Sequence, residues 1–236
     1  MNLTGYNFVT KKGARPAAQN AFTDSPSRSR RLTTLVMYSG GLDSTAMLVR
    51  LLTETTDDLR VHHIRMANRE GRVEAEQAAV ESIVAWCAKR YRPFRYSESG
   101  LDFSTLEAIP IDYLSVAFVA CQVAIDTPGC NRIAVGTLAR DLDEMKRSVT
   151  VAQRRVFAAM YDCYRARKLG EPDLEWIYPV YAMTKPQIAS LLEPEVRQMT
   201  WSCRRPVKAD SGYRTCGTCK PCRARAEISA ALGVSL

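Results

Sequence analysis

Two groups of residues in this chain can do chemistry. The first is Ser39-Gly40-Gly41-Leu42-Asp43-Ser44-Thr45, set between an apolar run at 35–38 and an apolar helical pattern. Gly40 and Gly41 have no side chains, so backbone N–H groups can approach an anion closely. Ser39, Ser44 and Thr45 add hydroxyl donors. A helix starting near Leu42 points the positive end of its dipole at the same spot. Together these hold a phosphate or pyrophosphate. Asp43 would repel a bare phosphate, so it implies a bridging magnesium ion or a capping role at the helix start. No Lys follows the glycines, which excludes the Walker loop, and Gly-x-Gly-x-x-Gly is absent, which excludes the dinucleotide turn.

The second group is Cys203, Cys216, Cys219 and Cys222, the last three at Cys-x-x-Cys spacing. Four thiolates close a tetrahedral zinc site, and Gly217 permits the tight turn between two of them. Arg204, Arg205, Lys208, Arg214, Lys220, Arg223 and Arg225 surround the cluster and offset its charge. Four ligands leave no open position, so the reading is a structural Zn²⁺; the same ligand set would also hold an iron–sulfur cluster. Cys87, Cys121, Cys130 and Cys163 are scattered, and most are read as buried small hydrophobes.

The elements that must carry these groups follow from periodicity. Strands are expected at 35–38, 59–66, 93–97, 132–135 and 176–180. Helices are expected from 42 or 45 to 52 and over 74–89, 113–125, 156–167 and 184–192, the last with Thr184 as N-cap and Pro186 in its first turn. Strands alternating with helices give an α/β fold, a Rossmann-like parallel sheet covered on both faces, with a small helical zinc-binding region at the C-terminus. Ligands of such sheets lie beyond the carboxyl ends of the strands. Met66, Gly136 and the Ser-Gly-Gly turn all fall at such ends, so they should share one crevice. His62 and His63 are adjacent strand residues on opposite faces, and both are read as structural. Residues 1–31 are read as a flexible basic arm, 32–195 as the nucleotide-binding domain and 196–236 as the zinc-binding region.

At 236 residues and 46% hydrophobic, the chain is long enough for one α/β domain with a small appendage. No apolar stretch is long enough to cross a bilayer and the first residues hold no apolar signal core, which gives the expectation of a cytoplasmic protein. The net charge of +8 suits nucleotide substrates. It also allows nucleic acid as a secondary partner, although no DNA- or RNA-binding module is recognisable.

Residues 39–45 resemble the pyrophosphate loop of the ATP pyrophosphatases of the adenine-nucleotide α-hydrolase fold. Thr200-Trp201-Ser202-Cys203 with Cys216-Gly217-Thr218-Cys219-Lys220-Pro221-Cys222 resembles the zinc tail of the 7-cyano-7-deazaguanine synthases. Arg72-Val73-Glu74, Ile133-Ala134-Val135-Gly136, Pro179 and Thr184-Lys185 are similar to further elements of that family. The resemblance implies that ATP activates a deazaguanine carboxylate as an acyl-adenylate, which ammonia converts to an amide and then a nitrile. It implies Asp43 and Lys185 as catalytic residues. Tyr38, Ser39, Gly40, Gly41, Leu42, Asp43, Ser44, Thr45, Met66 and Gly136 would hold ATP and Mg²⁺. Asp141 and Arg154 would contact substrate, Cys203, Cys216, Cys219 and Cys222 would bind Zn²⁺, and the protein would be a homodimer. Three family segments depart here: the chain reads Ala67-Asn68-Arg69-Glu70-Gly71 after the second strand, Pro110-Ile111-Asp112-Tyr113 before the buried helix, and a reshaped loop near Arg147-Ser148 and Arg154-Arg155. Other acceptors therefore stay open, including amide-forming and tRNA sulfur-inserting chemistry, as does a non-catalytic zinc-ribbon protein binding nucleic acid.

Overall fold

The computed structural model describes residues 32–109, 111–139, 147–167 and 174–234, with the side chains of all of these except 147–154. The arm 1–31 and Asp141 lie outside the described residues, as does the side chain of Arg154.

Five strands form one parallel sheet: β1 (Thr33–Tyr38), β2 (Asp58–Ala67), β3 (Arg95–Asp102), β4 (Cys130–Val135) and β5 (Glu175–Ile177), in the order β3-β2-β1-β4-β5. β1 is central and buried along its whole length because helices cover both faces. Its side chains alternate between two cores. Val36 and Tyr38 pack with Leu59 and Val61 of β2 against α1 (Leu42–Glu54), α2 (Val73–Arg90) and α5 (Lys185–Leu191). Leu35 and Met37 pack with Ile64 and Met66 against α3 (Asp112–Ile125) and Tyr164 of α4 (Arg147–Arg167). The chain order of the strands reverses between β1 and β4, and this switch point is where an open parallel sheet leaves a crevice.

Where the elements differ from expectation, the causes are local. β3 runs to Asp102 because it is an edge strand paired residue by residue with β2, so half-exposed Ser, Glu and Gly residues suffice there. β5 ends at Ile177, before a turn closed by Tyr181 N–H on the Tyr178 carbonyl. The C-terminal region is not only helical. After α6 (Pro194–Met199) it contains a hairpin of β6 (Val207–Ala209) and β7 (Gly212–Arg214), then α7 (Lys220–Leu232). Ile228 of α7 is buried in the same core as α1 and α2, so this region is packed onto the five-stranded sheet and its helices. No described helix is long and apolar enough to cross a membrane.

Candidate nucleotide and metal site

Residues 39–41 form the bend between β1 and α1. Gly40 has φ +72°, and a Cβ there would lie 2.8 Å from Val80 Cγ2 of α2, so only glycine fits. Gly41 is the N-cap of α1 and no side chain caps the helix. The first N–H groups of a helix have no partner within it, so at this terminus they can serve an anion. Asp43 sits inside the first turn, which rules out the capping role and leaves its carboxylate for other work. It pairs with Lys185 Nζ at the start of α5, bringing together the two residues expected to be catalytic. Ser39 Oγ and Ser44 Oγ lie 3.0 Å apart, and Ser44 Oγ donates to the Gly41 carbonyl at 3.1 Å.

The other expected nucleotide residues divide into two sets. Tyr38, Ser39, Gly41, Leu42, Asp43, Ser44, Met66 and Gly136 all line one cavity of about 940 Å³. A Cβ on Gly136 would lie 3.0 Å from Ser44 N and Cα, so the end of β4 presses directly on the loop. Gly40 makes the bend without lining the cavity, and Thr45 is fully buried with its hydroxyl 3.0 Å from Tyr38 Oη. Tyr38 Oη is therefore a core group, and burial pushes its pKa far above the ordinary tyrosine value. His62 and His63, read from the sequence as structural, both line this cavity and are both bonded into the fold. His62 bonds Ser97 Oγ (2.8 Å) and Ser99 Oγ (3.0 Å), and His63 Nδ1 bonds the Tyr38 carbonyl (2.9 Å). Burial pushes His62 down to about 4, so it is neutral at pH 7.

The same cavity has a wall that sequence reasoning did not single out. Glu70, Arg72, Glu76, Asp112 and Arg204 line it and are wired together. Arg72 is the hub, with Glu70 at 3.0 Å, Glu76 at 3.2 Å and Asp112 at 2.7 Å. Arg204 adds contacts to Glu70 (3.1 Å) and Asp112 (3.4 Å). The available signal was that Glu70 and Asp112 stand in two of the segments that depart from the family pattern. Burial pushes Glu76 up to about 7, against the pull of Arg72. A carboxyl held above its unfolded value binds its proton more tightly in the native state. Its native penalty is absent below about 4.5, grows as pH rises toward 7 and then stays constant, reaching about 3 kcal/mol at most. Glu76→Gln mimics the neutral form, so its stability relative to wild type should rise between pH 5 and pH 8. Urea unfolding at the two pH values checks this, and an unchanged difference would refute the assignment.

The four clustered cysteines have their sulfur atoms within 4.8 Å of one another. Cys216–Cys222 and Cys219–Cys203 separations are 3.9 and 4.0 Å. A tetrahedron with metal–sulfur bonds of ~2.3 Å has edges of ~3.8 Å, so the set fits Zn²⁺. Amide N–H groups of Arg205 and Cys216 point at Cys203 Sγ, and that of Cys219 at Cys216 Sγ. Hydrogen bonds from Thr218 and Cys219 hold Cys216 down to about 6, whereas burial pushes Cys222 up to about 12. A bound cation removes that conflict by favouring the thiolate at all four. Most of the remaining cysteines are buried, as expected: Cys87, Cys121 and Cys130 are buried, and Cys163 is exposed on α4.

No protein-family model matches this chain, and no curated protein does. Among solved structures it is similar to the U34-tRNA thiolase NcsA from Methanococcus maripaludis with its [4Fe-4S] cluster, at 17% identity and a TM-score of 0.48. That match covers 85% of this chain and 64% of the thiolase, so the chain spans under two thirds of that protein's length.

Proposed function

We propose that this chain is an ATP pyrophosphatase of the pyrophosphate-loop type that adenylates the carboxylate of a 7-deazaguanine and passes the acyl group to ammonia. The observation that carries this reading is one cavity lined by both the uncapped, hydroxyl-rich terminus of α1 and the carboxylate wall around Arg72. The first suits a leaving pyrophosphate. The second suits a guanine-type ring, whose N1–H and 2-amino groups form a pair of donors. Asp112 Oδ1 is buried with no hydrogen-bond partner among the described residues, and such an edge would satisfy it.

A carboxylate oxygen attacks the α-phosphorus of ATP, and pyrophosphate leaves with its charge spread over the loop N–H groups, Ser39, Ser44 and Lys185. Asp43 would hold the Mg²⁺ that accompanies ATP, and the ion would supply neutralisation of phosphate charge. Ammonia then attacks the acyl carbon and AMP leaves, giving the amide. Glu76, balanced near neutrality, can take the proton that the attacking nitrogen must lose. A second adenylation on the amide oxygen, with loss of AMP and a proton, gives the nitrile. Cys203, Cys216, Cys219 and Cys222 would hold Zn²⁺ in a structural role, because four sulfur ligands leave no open position.

A second reading, sulfur insertion into tRNA, is favoured by one observation: Cys219, with Thr218 and Lys220, lines the same cavity. The two separate on products. With ATP, ammonia and 7-carboxy-7-deazaguanine, mass spectrometry should show AMP together with an amide or nitrile. AMP formed only with tRNA and a sulfur donor, by protein carrying iron and labile sulfide, would replace the first reading with the second. No AMP under either condition would overturn both.

A further inference from the structure

We propose that the four-cysteine centre holds the pyrophosphate loop in its binding shape, with Trp201 as the positioning residue between them. This rests on reading 39–45 as a pyrophosphate cradle. Inside the loop the bonds run among Ser39, Gly41 and Ser44: Ser39 Oγ and Ser44 Oγ lie 3.0 Å apart, Ser44 Oγ donates to the Gly41 carbonyl at 3.1 Å, and the Ser39 and Gly41 N–H groups reach Ser44 Oγ at 3.3 Å and Ser39 Oγ at 3.4 Å; none of these bonds holds Gly40. From outside, Lys185 holds the Asp43 side chain and Trp201 holds the backbone of the bend, its N–H donating to the Gly40 carbonyl at 2.9 Å. The Trp201 and Ser202 side of the loop is also close-packed, since a Cβ on Gly41 would lie 3.5 Å from the Trp201 carbonyl oxygen and 3.7 Å from Ser202 Oγ.

Trp201 is tied in turn to the cysteine centre. Its indole N–H donates to the Cys203 carbonyl at 3.0 Å. The preceding residue, Thr200, receives Arg225 of α7 on its carbonyl (2.8 Å) and hydroxyl (3.0 Å). Cys203 lies at one end of this segment, and Cys219 and Cys222 lie at the start of α7. A metal ion bonded to Cys203 and Cys222 therefore closes a circuit through α7, Arg225, Thr200 and Trp201 to Gly40. Without the ion, the Thr200–Cys203 segment is joined to α7 by the Arg225 contacts and by thiol contacts that no longer fix a distance. The Gly40 carbonyl then loses its fixed donor, and a glycine bend at φ +72° has many other conformations open to it.

The test uses the metal-loaded full chain and two variants. Trp201→Pro deletes the donor N–H, and Thr200 already has the φ −66°, ψ 140° backbone that tolerates a following proline. Trp201→Phe keeps the N–H and loses only the indole bond. Metal content, calorimetric affinity for Mg·ATP and for inorganic pyrophosphate, and hydrogen exchange of residues 39–44 are measured on each. Trp201→Pro should keep its metal yet bind Mg·ATP about tenfold more weakly, the upper range for one lost hydrogen bond. Trp201→Phe keeps the bond to Gly40 but loses the indole bond to the Cys203 carbonyl, so its affinity should fall between wild type and Trp201→Pro. Chelation should weaken wild-type binding by a similar factor and Trp201→Pro by little more, with faster exchange at 39–44 but not in β1 or β2. Unchanged affinity in metal-bearing Trp201→Pro, or unchanged exchange at 39–44 after chelation, overturns the proposal. If Trp201→Pro does not fold, exchange in chelated wild type decides. If intact protein binds neither Mg·ATP nor pyrophosphate, the cradle reading falls, and the exchange result still decides whether the centre holds the loop.

Discussion

Asp43→Ala should lower ATP-dependent AMP release by about 10³-fold while leaving the protein folded, the size expected when a preorganised electrostatic contact at a developing charge is removed. Asp43 is the one acid in the first turn of α1 and its partner is Lys185, carried from α5 to the loop by the core that joins α1 and α5. Both side chains are about one-fifth exposed (22% and 20%), so losing the pair should cost no more than about 1 kcal/mol of stability. The effect belongs to the proposed reaction, where Asp43 would no longer offer an oxygen ligand to Mg²⁺ on the nucleotide and Lys185 loses the group that aims it. Lys185→Ala should cost less, about 10²-fold, because the loop N–H groups still meet the pyrophosphate. Chromatography of AMP alongside a melting curve checks both variants. An Asp43→Ala protein within tenfold of the wild-type rate would mean that this loop does not hold the reacting nucleotide.

The loop was readable in the sequence because its chemistry is local. Ser39-Gly40-Gly41 needs only a strand before it and a helix after it, and 35–38 and 42–52 signal both. The cysteine centre was readable for the same reason: three of its ligands fall within seven residues, and Gly217 marks the turn. Gly136 and Met66 followed from topology, since both end strands that flank β1. The Arg72 network was not readable. Glu70 and Arg72 close the β2–α2 connection, Asp112 opens α3 and Arg204 follows Cys203, so no spacing joins them; only the folded sheet does. Each alone looks like an ordinary surface charge. Thr45 shows the opposite error: a hydroxyl beside a phosphate loop suggests a donor, but its position on α1 turns it into the core against Tyr38. Trp201 could not be weighted from sequence either, because its link to the loop is a backbone N–H that any residue except proline supplies.

Arg72→Ala should be the most destabilising single change in the crevice, at about 3–5 kcal/mol, the cost of breaking a buried charge cluster by removing one sign. The Arg72 side chain is 11% exposed, and those of Glu70 and Glu76 are 15% each. Without it, Glu70, Glu76 and Asp112 share one cavity with Arg204, which is 42% exposed and contacts only Glu70 and Asp112 among them. Glu76 would then have no guanidinium in contact with it, and the larger of the two charges that pull its pKa down would be gone, leaving only the more distant Arg204. The deficit should therefore depend on pH in a definite direction. As pH falls from 8 toward 5, the stranded carboxylates take up protons and the repulsion declines, so the variant should recover part of its lost stability. Arg72→Lys keeps the charge but cannot fork to three carboxylates, and should fall between the two. Urea unfolding at pH 8 and pH 5 measures all three proteins. A ligand with a donor edge should narrow the Arg72→Ala deficit further, because it supplies N–H groups to the same acceptors. Guanine would serve as the probe, with adenine, which lacks that pair of donors, as the control. A deficit below 1 kcal/mol at pH 8, or one that does not shrink on acidification, would show that the carboxylates are not held by Arg72. The donor-edge pocket proposed on them would then have no basis.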